Sequence, residues 1–376
     1  MRAYVLPDVH RLKLAGRFVW LGIDTENPRN APFVEQFPID AWPSLLVVDP
    51  ATETVVVRWA GTATAKDIEK LALDGERALG ARSGSRADGL LAGADRLLGA
   101  RSHAQAAEAY GAALAAGGPG WAGRERAAEA RVQSLSMADD GAGCALAARE
   151  LLPSVRTPAT AARIAAQGLG CALGLEGEAK AAAVAALEPK AKALTSAKGL
   201  LADDRSWLFD ELSSTRQDAG DEAGARAWAE KWLTYLEGEA RRGKTPLERA
   251  AFNGQRVSAA MRLGQPGRVL AALLASEKEL PGDFAPPSLL GVVLLELGRP
   301  AESLAAAERA LALAQGPRRI RIMVLKAQAE TKLERKDAAR ATLEQALAEG
   351  QALGENARPG WYLKRARKML EELGAG

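Results

Sequence analysis

Only two cysteines, Cys144 and Cys171, and two histidines, His10 and His103, occur among 376 residues. Disulfide exchange needs a thiolate of lowered pKa with a second thiol in reach. Neither cysteine belongs to a Cys-x-x-Cys pair, and both lie in Ala-rich apolar stretches, so they read as two buried small side chains. A disulfide framework and a zinc cluster are both without support. Two histidines make a histidine-centred metal site or catalytic triad hard to build. No phosphate-binding loop is read after a strand, and no Gly-x-Ser-x-Gly elbow occurs. Asp24 and Asp49 read as turn formers at strand ends rather than as a catalytic carboxylate pair. The expectation is a chain that is not an enzyme and that needs no cofactor.

The composition agrees with a binding role. Lys+Arg number 50 against 47 Asp+Glu, leaving a formal charge of +3, too small an excess to imply nucleic acid. Basic clusters at Arg318, Arg319 and Arg321, and at Lys364, Arg365, Arg367 and Lys368, alternate with Ile, Leu or Met at helical spacing and read as solvated helix faces. The longest apolar run, Leu289 to Leu297, is broken by Gly291 and Glu296 and falls far short of the roughly 20 residues a membrane helix requires. The amino terminus has no apolar core of a secretory signal, so the chain as written is expected to be cytoplasmic, away from membranes.

The elements that would carry any site fall into two periods. Residues 1–83 hold the strand signals. Phe18-Val-Trp-Leu-Gly-Ile23 is a continuous apolar run of the kind buried on both faces. Ser44 to Val48, closed by Asp49-Pro50, and Thr54 to Trp59 are spaced as a hairpin. Asn30 to Phe37 suits a short helix, and Met1 to about Leu14 the later turns of another. Thr64 with Asp67 caps a helix reaching about Leu79. Gly80 to Ser85 reads as a linker. Residues 84–376 carry helical periods broken by Gly and Pro. Thr245-Pro-Leu-Glu248 is a capping box, and Thr157-Pro158 and Pro286-Pro287 mark further helix starts.

Self-similarity organises the second part. Leu263-Gly264 recurs as Leu297-Gly298, 34 residues on, and Leu297 recurs as Leu333, 36 residues on. Ala310-Leu311 recurs as Ala346-Leu347 at the same step of 36. Small residues near a turn let two antiparallel helices approach, and alanines on the second helix let neighbouring hairpins stack. These segments resemble tetratricopeptide repeats, well at 88–116, 219–236 and 297–350 and weakly at 120–200. The resemblance implies about seven or eight hairpins and a groove that receives protein or peptide partners. The family's terminal-carboxylate clamp relies on Asn and Lys, and only Asn253 and Asn356 occur beyond residue 83, so that clamp is not expected.

Phe18 to Asp24, Phe37-Pro-Ile-Asp-Ala-Trp-Pro-Ser-Leu-Leu-Val-Val-Asp49 and Arg58-Trp-Ala-Gly61 resemble, in order, the latter part of a thioredoxin domain. The resemblance implies that the Trp42–Pro43 bond is cis and that Trp42 and Pro43 contact a bound peptide; a trans bond at a strand start is the ordinary alternative. It also implies that the redox cysteines, absent before residue 144, would precede Met1. A sheet lacking its first strand has three remedies: an upstream start, closure of the gap, or a strand from a partner. The fold expected is therefore an α/β, partial thioredoxin-like segment (1–83) without its redox motif, then an all-α repeat stack (84–376), mostly helical overall. Two functions follow: a redox-inactive protein-interaction scaffold, or a fragment of a thiol–disulfide oxidoreductase.

Overall fold

The structure, a computed structural model, describes Leu14 and residues 16–39, 42–61, 63–80, 85–355 and 359–374. The chain forms two compact units, one of residues 1–17 with 40–234 and one of residues 18–39 with 235–376. After a short helix α1 (Ala31–Gln36), strands β1 (Ser44–Asp49) and β2 (Thr54–Ala60) form an antiparallel hairpin with a register shift at Val47/Val48. The Asp49 carboxylate accepts from Ala51 N and Thr52 Oγ1, both at 2.9 Å, so this residue forms the turn as its type suggests. Helix α2 (Ala65–Gly80) opens with the expected reciprocal cap: Asp67 N donates to Thr64 Oγ1 at 3.2 Å and Thr64 N to Asp67 Oδ2 at 2.9 Å. It packs on β1 at Gly75, where a Cβ would come within 2.5 Å of Val47 Cγ1.

The described residues do not show the expected thioredoxin-like sheet. Among the described residues the sheet has two strands, and the Phe18–Ile23 run is irregular rather than a strand. A strand exists only where a neighbour takes up its backbone donors and acceptors, and no other described strand flanks this run. The expected helix at Met1 to Leu14 lies outside the described residues apart from Leu14, as do residues 81–84 of the expected linker.

From Ser85 onward the chain is helical. The first unit carries α3 (Arg86–Gly99), α4 (His103–Gly117), α5 (Arg124–Met137), α6 (Gly141–Leu151), α7 (Pro158–Leu173), α8 (Gly177–Leu194), α9 (Ala202–Asp218) and the start of α10 (Glu222–Arg242). The second carries α11 (Pro246–Ala250), α12 (Asn253–Leu263), α13 (Leu270–Glu279), α14 (Ala285–Glu296), α15 (Pro300–Leu313), α16 (Pro317–Lys332), α17 (Lys336–Ala352) and α18 (Gly360–Gly374). Seven hairpins result among the described residues, within the expected range.

One device closes six of the seven turns. A backbone N–H reaches back five residues to the preceding helix: Ser102 to Leu97, Asp140 to Leu135, Asp221 to Arg216, Gln265 to Ala260, Arg299 to Leu294 and Arg335 to Glu330, all at 2.8–3.0 Å. That is the Schellman closure, and it places the residue before the donor in the left-handed region. Gly220, Gly264 and Gly298 hold it at φ +74, +75 and +69°, where lack of a Cβ removes the steric cost. Arg101, Asp139 and Glu334 hold it at +60 to +62° without that relief. Gly264, Gly298 and Glu334 sit at the steps of 34 and 36 read from the sequence.

Neighbouring hairpins are joined by alanine packing and by ion pairs. Ala310 and Ala346 are fully buried, with Leu311 and Leu347 packing against Ile320, Met323 and Leu363. Arg309 pairs with Glu277 and Arg319 with Glu349, partners 32 and 30 residues apart, about one repeat. The Thr245–Glu248 box caps α11, and prolines open α7 and α14 as expected. In the first unit a buried cluster ties α2 to α5. The Arg126 guanidinium donates to both Asp95 oxygens at 2.9 and 2.7 Å and pairs with Asp74 at 2.7 Å, while Tyr110 OH donates to Asp95 at 2.7 Å. Burial, then the Asp95 charge, pushes the Tyr110 hydroxyl well above its ordinary pKa.

The cysteines are not independent buried side chains. Cys144 on α6 and Cys171 on α7 face each other with Cα atoms 6.1 Å apart and are joined in a disulfide. The bond links consecutive hairpins, a proximity that a sequence separation of 27 does not reveal.

Candidate functional site

In the second unit the first helix of each hairpin contributes one stripe to a continuous depression. Helical spacing sets the stripes: Leu289, Val292 and Glu296 on α14, Arg321, Leu325, Gln328 and Lys332 on α16, and Trp361, Arg365, Met369 and Glu372 on α18. Asn253 and Gly254 of α12 close one end. Two cavities of about 530 and 960 Å³ share Val292, Leu325 and Gln328, so they form a single groove. Its floor is close-packed: Ser303 Oγ donates to Gly291 O at 2.7 Å, and a Cβ on Gly291 would lie 2.8 Å from Leu325 Cδ2.

The groove combines exposed apolar surface with cationic groups that make no side-chain bond among the described residues. Trp361 is 68% exposed, and Val292 is exposed beside it. Among the described residues Arg321, Gln328, Lys332, Lys336 and Arg365 make no side-chain hydrogen bond or ion pair. The neighbouring basic residues differ. Arg318 is paired with Asp24 and Glu26, and Arg319 donates to Glu349 at 2.9 and 3.2 Å, so of the 318–321 cluster Arg321 alone is offered to the groove. Burial raises the Glu349 carboxyl, but hydrogen bonds from Arg319 and Gln345 outweigh it and leave its pKa lowered. Asn253 is buried, with its amide donating to Ser276 Oγ at 2.8 Å.

The first unit has a smaller cleft of about 160 Å³ between Trp42, Gly61 and helices α5, α7 and α9. Both site residues expected from the sequence lie there or beside it. Trp42 is 67% exposed at its mouth, the Trp42–Pro43 bond is cis, and Pro43 O accepts from Gly61 N at 2.8 Å. The walls are occupied by an internal network. Arg163 donates to Glu129 at 2.6 and 3.0 Å, lies 3.4 Å from Asp204 and stacks 5.0 Å from the Trp59 ring centre. Burial raises the Glu129 carboxyl and prevails over the pull of Arg163. Gln133 Nε2 donates to Ala60 O at 3.0 Å, tying the β-hairpin to α5. Arg163 is thus saturated by its own carboxylates, and Trp42 is the large apolar surface that the cleft offers.

Neither depression assembles a nucleophile with a base, and no cluster of metal ligands exists among the described residues. No described helix is long and apolar enough to cross a membrane. Arg321, Arg365 and Trp361 were not singled out as site residues by sequence. The available signal was a tryptophan on a helix otherwise rich in Lys and Arg, at positions spaced like those of α16.

No known protein family matches the sequence, and no curated protein matches it. Solved structures share the helical-repeat outline distantly. A tetratricopeptide repeat protein from Parabacteroides merdae is 11% identical with a TM-score of 0.47, over 77% of this chain and 98% of that one. The yeast Sti1 TPR2AB domain in complex with pHSP90 is 14% identical at 0.29, and the assembly chaperone of RpL4, Acl4, 15% at 0.33, with the same coverages. All three scores lie below 0.5, so the reading of this chain rests on its own hairpins, turn closures and grooves.

Proposed function

We propose that the protein is a non-catalytic interaction scaffold of tetratricopeptide-like hairpins whose second-unit groove binds a polypeptide segment. The observation that carries this is the set of groups along one groove: Trp361 and Val292 exposed together, with Arg321, Gln328 and Arg365 making no side-chain bond among the described residues. Exposed apolar surface rimmed by unpaired polar groups is what a binding surface needs, apolar contact for affinity and hydrogen bonds for orientation. The fitting ligand is a segment with apolar side chains and carboxylates, since guanidinium groups bind carboxylates bidentately. Trp42 and Pro43 are proposed as a separate peptide contact on the first unit, with residues 1–83 as a thioredoxin-like domain without its redox motif and 84–376 as the repeat domain.

The test is a selection of random peptides displayed on phage against the intact chain, followed by affinity measurement. Peptides rich in Asp, Glu and large apolar residues are expected. Arg321→Glu should weaken them at least tenfold, a loss of about 1.4 kcal/mol or more. Enriched peptides that bind Arg321→Glu and Trp361→Ala as tightly as the parent would refute the reading.

A further inference from the structure

The segment Arg17-Phe-Val-Trp-Leu-Gly-Ile-Asp24 has the composition of a buried strand and the surroundings of an exposed one. Val19 is 87% and Leu21 74% exposed, and Trp20 and Gly22 are exposed as well. Among the described residues no N–H or C=O of residues 18–23 makes a backbone hydrogen bond. Six consecutive residues without charge or proline, rich in aromatic and branched side chains, therefore present both their backbone and their side chains outward. Such an edge is a template for a further strand. A folded chain rarely leaves that many backbone groups and that much apolar surface open without an occupant.

We infer that this segment is a self-pairing strand, through which two copies of the chain associate antiparallel about a two-fold axis. The end charges choose the occupant and the direction. Arg17 opens the run and Asp24 closes it, and both side chains remain nearly half exposed beside their internal partners, Glu76 and Arg318. Antiparallel self-pairing centred between Trp20 and Leu21 sets Arg17 opposite Asp24 of the other copy at each end, whereas parallel pairing sets like against like. In that register Phe18 meets Ile23, Val19 meets Gly22 and Trp20 meets Leu21, so every large side chain has an apolar or empty counterpart. The same patch serves both copies, as a two-fold interface requires. A single strand pair is smaller than a standard interface of about 1,600 Å², so association is weak and concentration-dependent.

Sedimentation velocity of the intact chain across a hundredfold range of concentration tests this. A monomer–dimer equilibrium is expected, abolished by the double substitution Val19→Lys with Leu21→Lys. Both side chains are exposed, so unchanged helical circular dichroism and melting temperature show that this variant folds. Arg17→Asp should weaken the dimer at least fivefold, and adding Asp24→Arg should restore it, because the paired charges are only exchanged. A monomer at every concentration overturns the inference, as does a dimer indifferent to the lysine pair. A monomer in which amides 18–23 resist hydrogen exchange also overturns it, because the strand is then claimed within one chain.

Discussion

The two units are built from the same hairpin and differ in how their groove- and cleft-lining arginines are paired. In the first, Arg126 lies buried between Asp74 and Asp95, and Arg163, in the wall of the cleft, between Glu129 and Asp204. In the second, the cores are alanine and aliphatic packing, and Arg321 and Arg365 stand along the groove without partners. A guanidinium enclosed by carboxylates fixes how helices sit and has no capacity left for a ligand. One left open contributes little to folding and is available for recognition. The first unit thus encloses its arginines among carboxylates, while the second leaves some exposed along its groove.

The largest effect should follow from breaking the closed network. Asp95→Ala leaves the buried Tyr110 hydroxyl without its acceptor and Arg126 with Asp74 alone, and is expected to cost about 3–5 kcal/mol in urea unfolding. Arg321→Ala in the second unit should move stability by less than about 0.5 kcal/mol. Comparable losses at both positions would erase the contrast. Next in size is packing beside the disulfide: a Cβ at Gly168 on α7 would collide with Ala148 Cβ and press on Leu187. Gly168→Val is expected to lower stability by about 1–3 kcal/mol, measured the same way.

Turn closure gives smaller effects of both signs. Glu334 carries the left-handed conformation that Gly298 carries one repeat earlier. Glu334→Gly should stabilise and Gly298→Ala destabilise, each by about 1 kcal/mol in thermal melts. The smallest effect is a pH dependence in the first unit. Glu125 Oε1 accepts from Arg156 N at 2.7 Å and Thr157 N at 3.3 Å, capping the start of α7. Burial raises its pKa, but these hydrogen bonds prevail and leave it below the usual 4.5. A lowered folded pKa contributes stability above the unfolded value that is lost as pH falls through the folded one. Glu125→Gln should therefore destabilise slightly at pH 7, with the difference from the parent shrinking below pH 4.5.

What could be read from sequence was local. The Thr64 and Thr245 caps, the β1–β2 hairpin and the glycines of the last turns follow from short-range rules, and the structure has them. The cis bond at Trp42–Pro43 was legible through the order of several motifs along the chain rather than through any single residue. The middle hairpins were faint because the α5–α6 turn holds Asp139 rather than glycine at its left-handed position and the α7–α8 turn lacks the Schellman bond. The Phe18 run misled because strand character depends on a neighbour that composition cannot supply. The Cys144–Cys171 bond and the Arg163–Glu129 pair join positions 27 and 34 residues apart, visible only once hairpins stack. The groove residues stayed hidden for a related reason: which arginine of a basic helix is left unpaired depends on acids from other elements, such as Glu26 and Glu349.

The central claim, that the second unit's groove is the receptive surface, is tested most directly by titrating one phage-selected peptide against three forms of the intact chain. The account predicts that Arg321→Glu with Trp361→Ala removes binding while Trp42→Ala, in the first unit, leaves the affinity within twofold of the parent. Binding that survives the groove substitutions, or that is lost with Trp42→Ala alone, would contradict it.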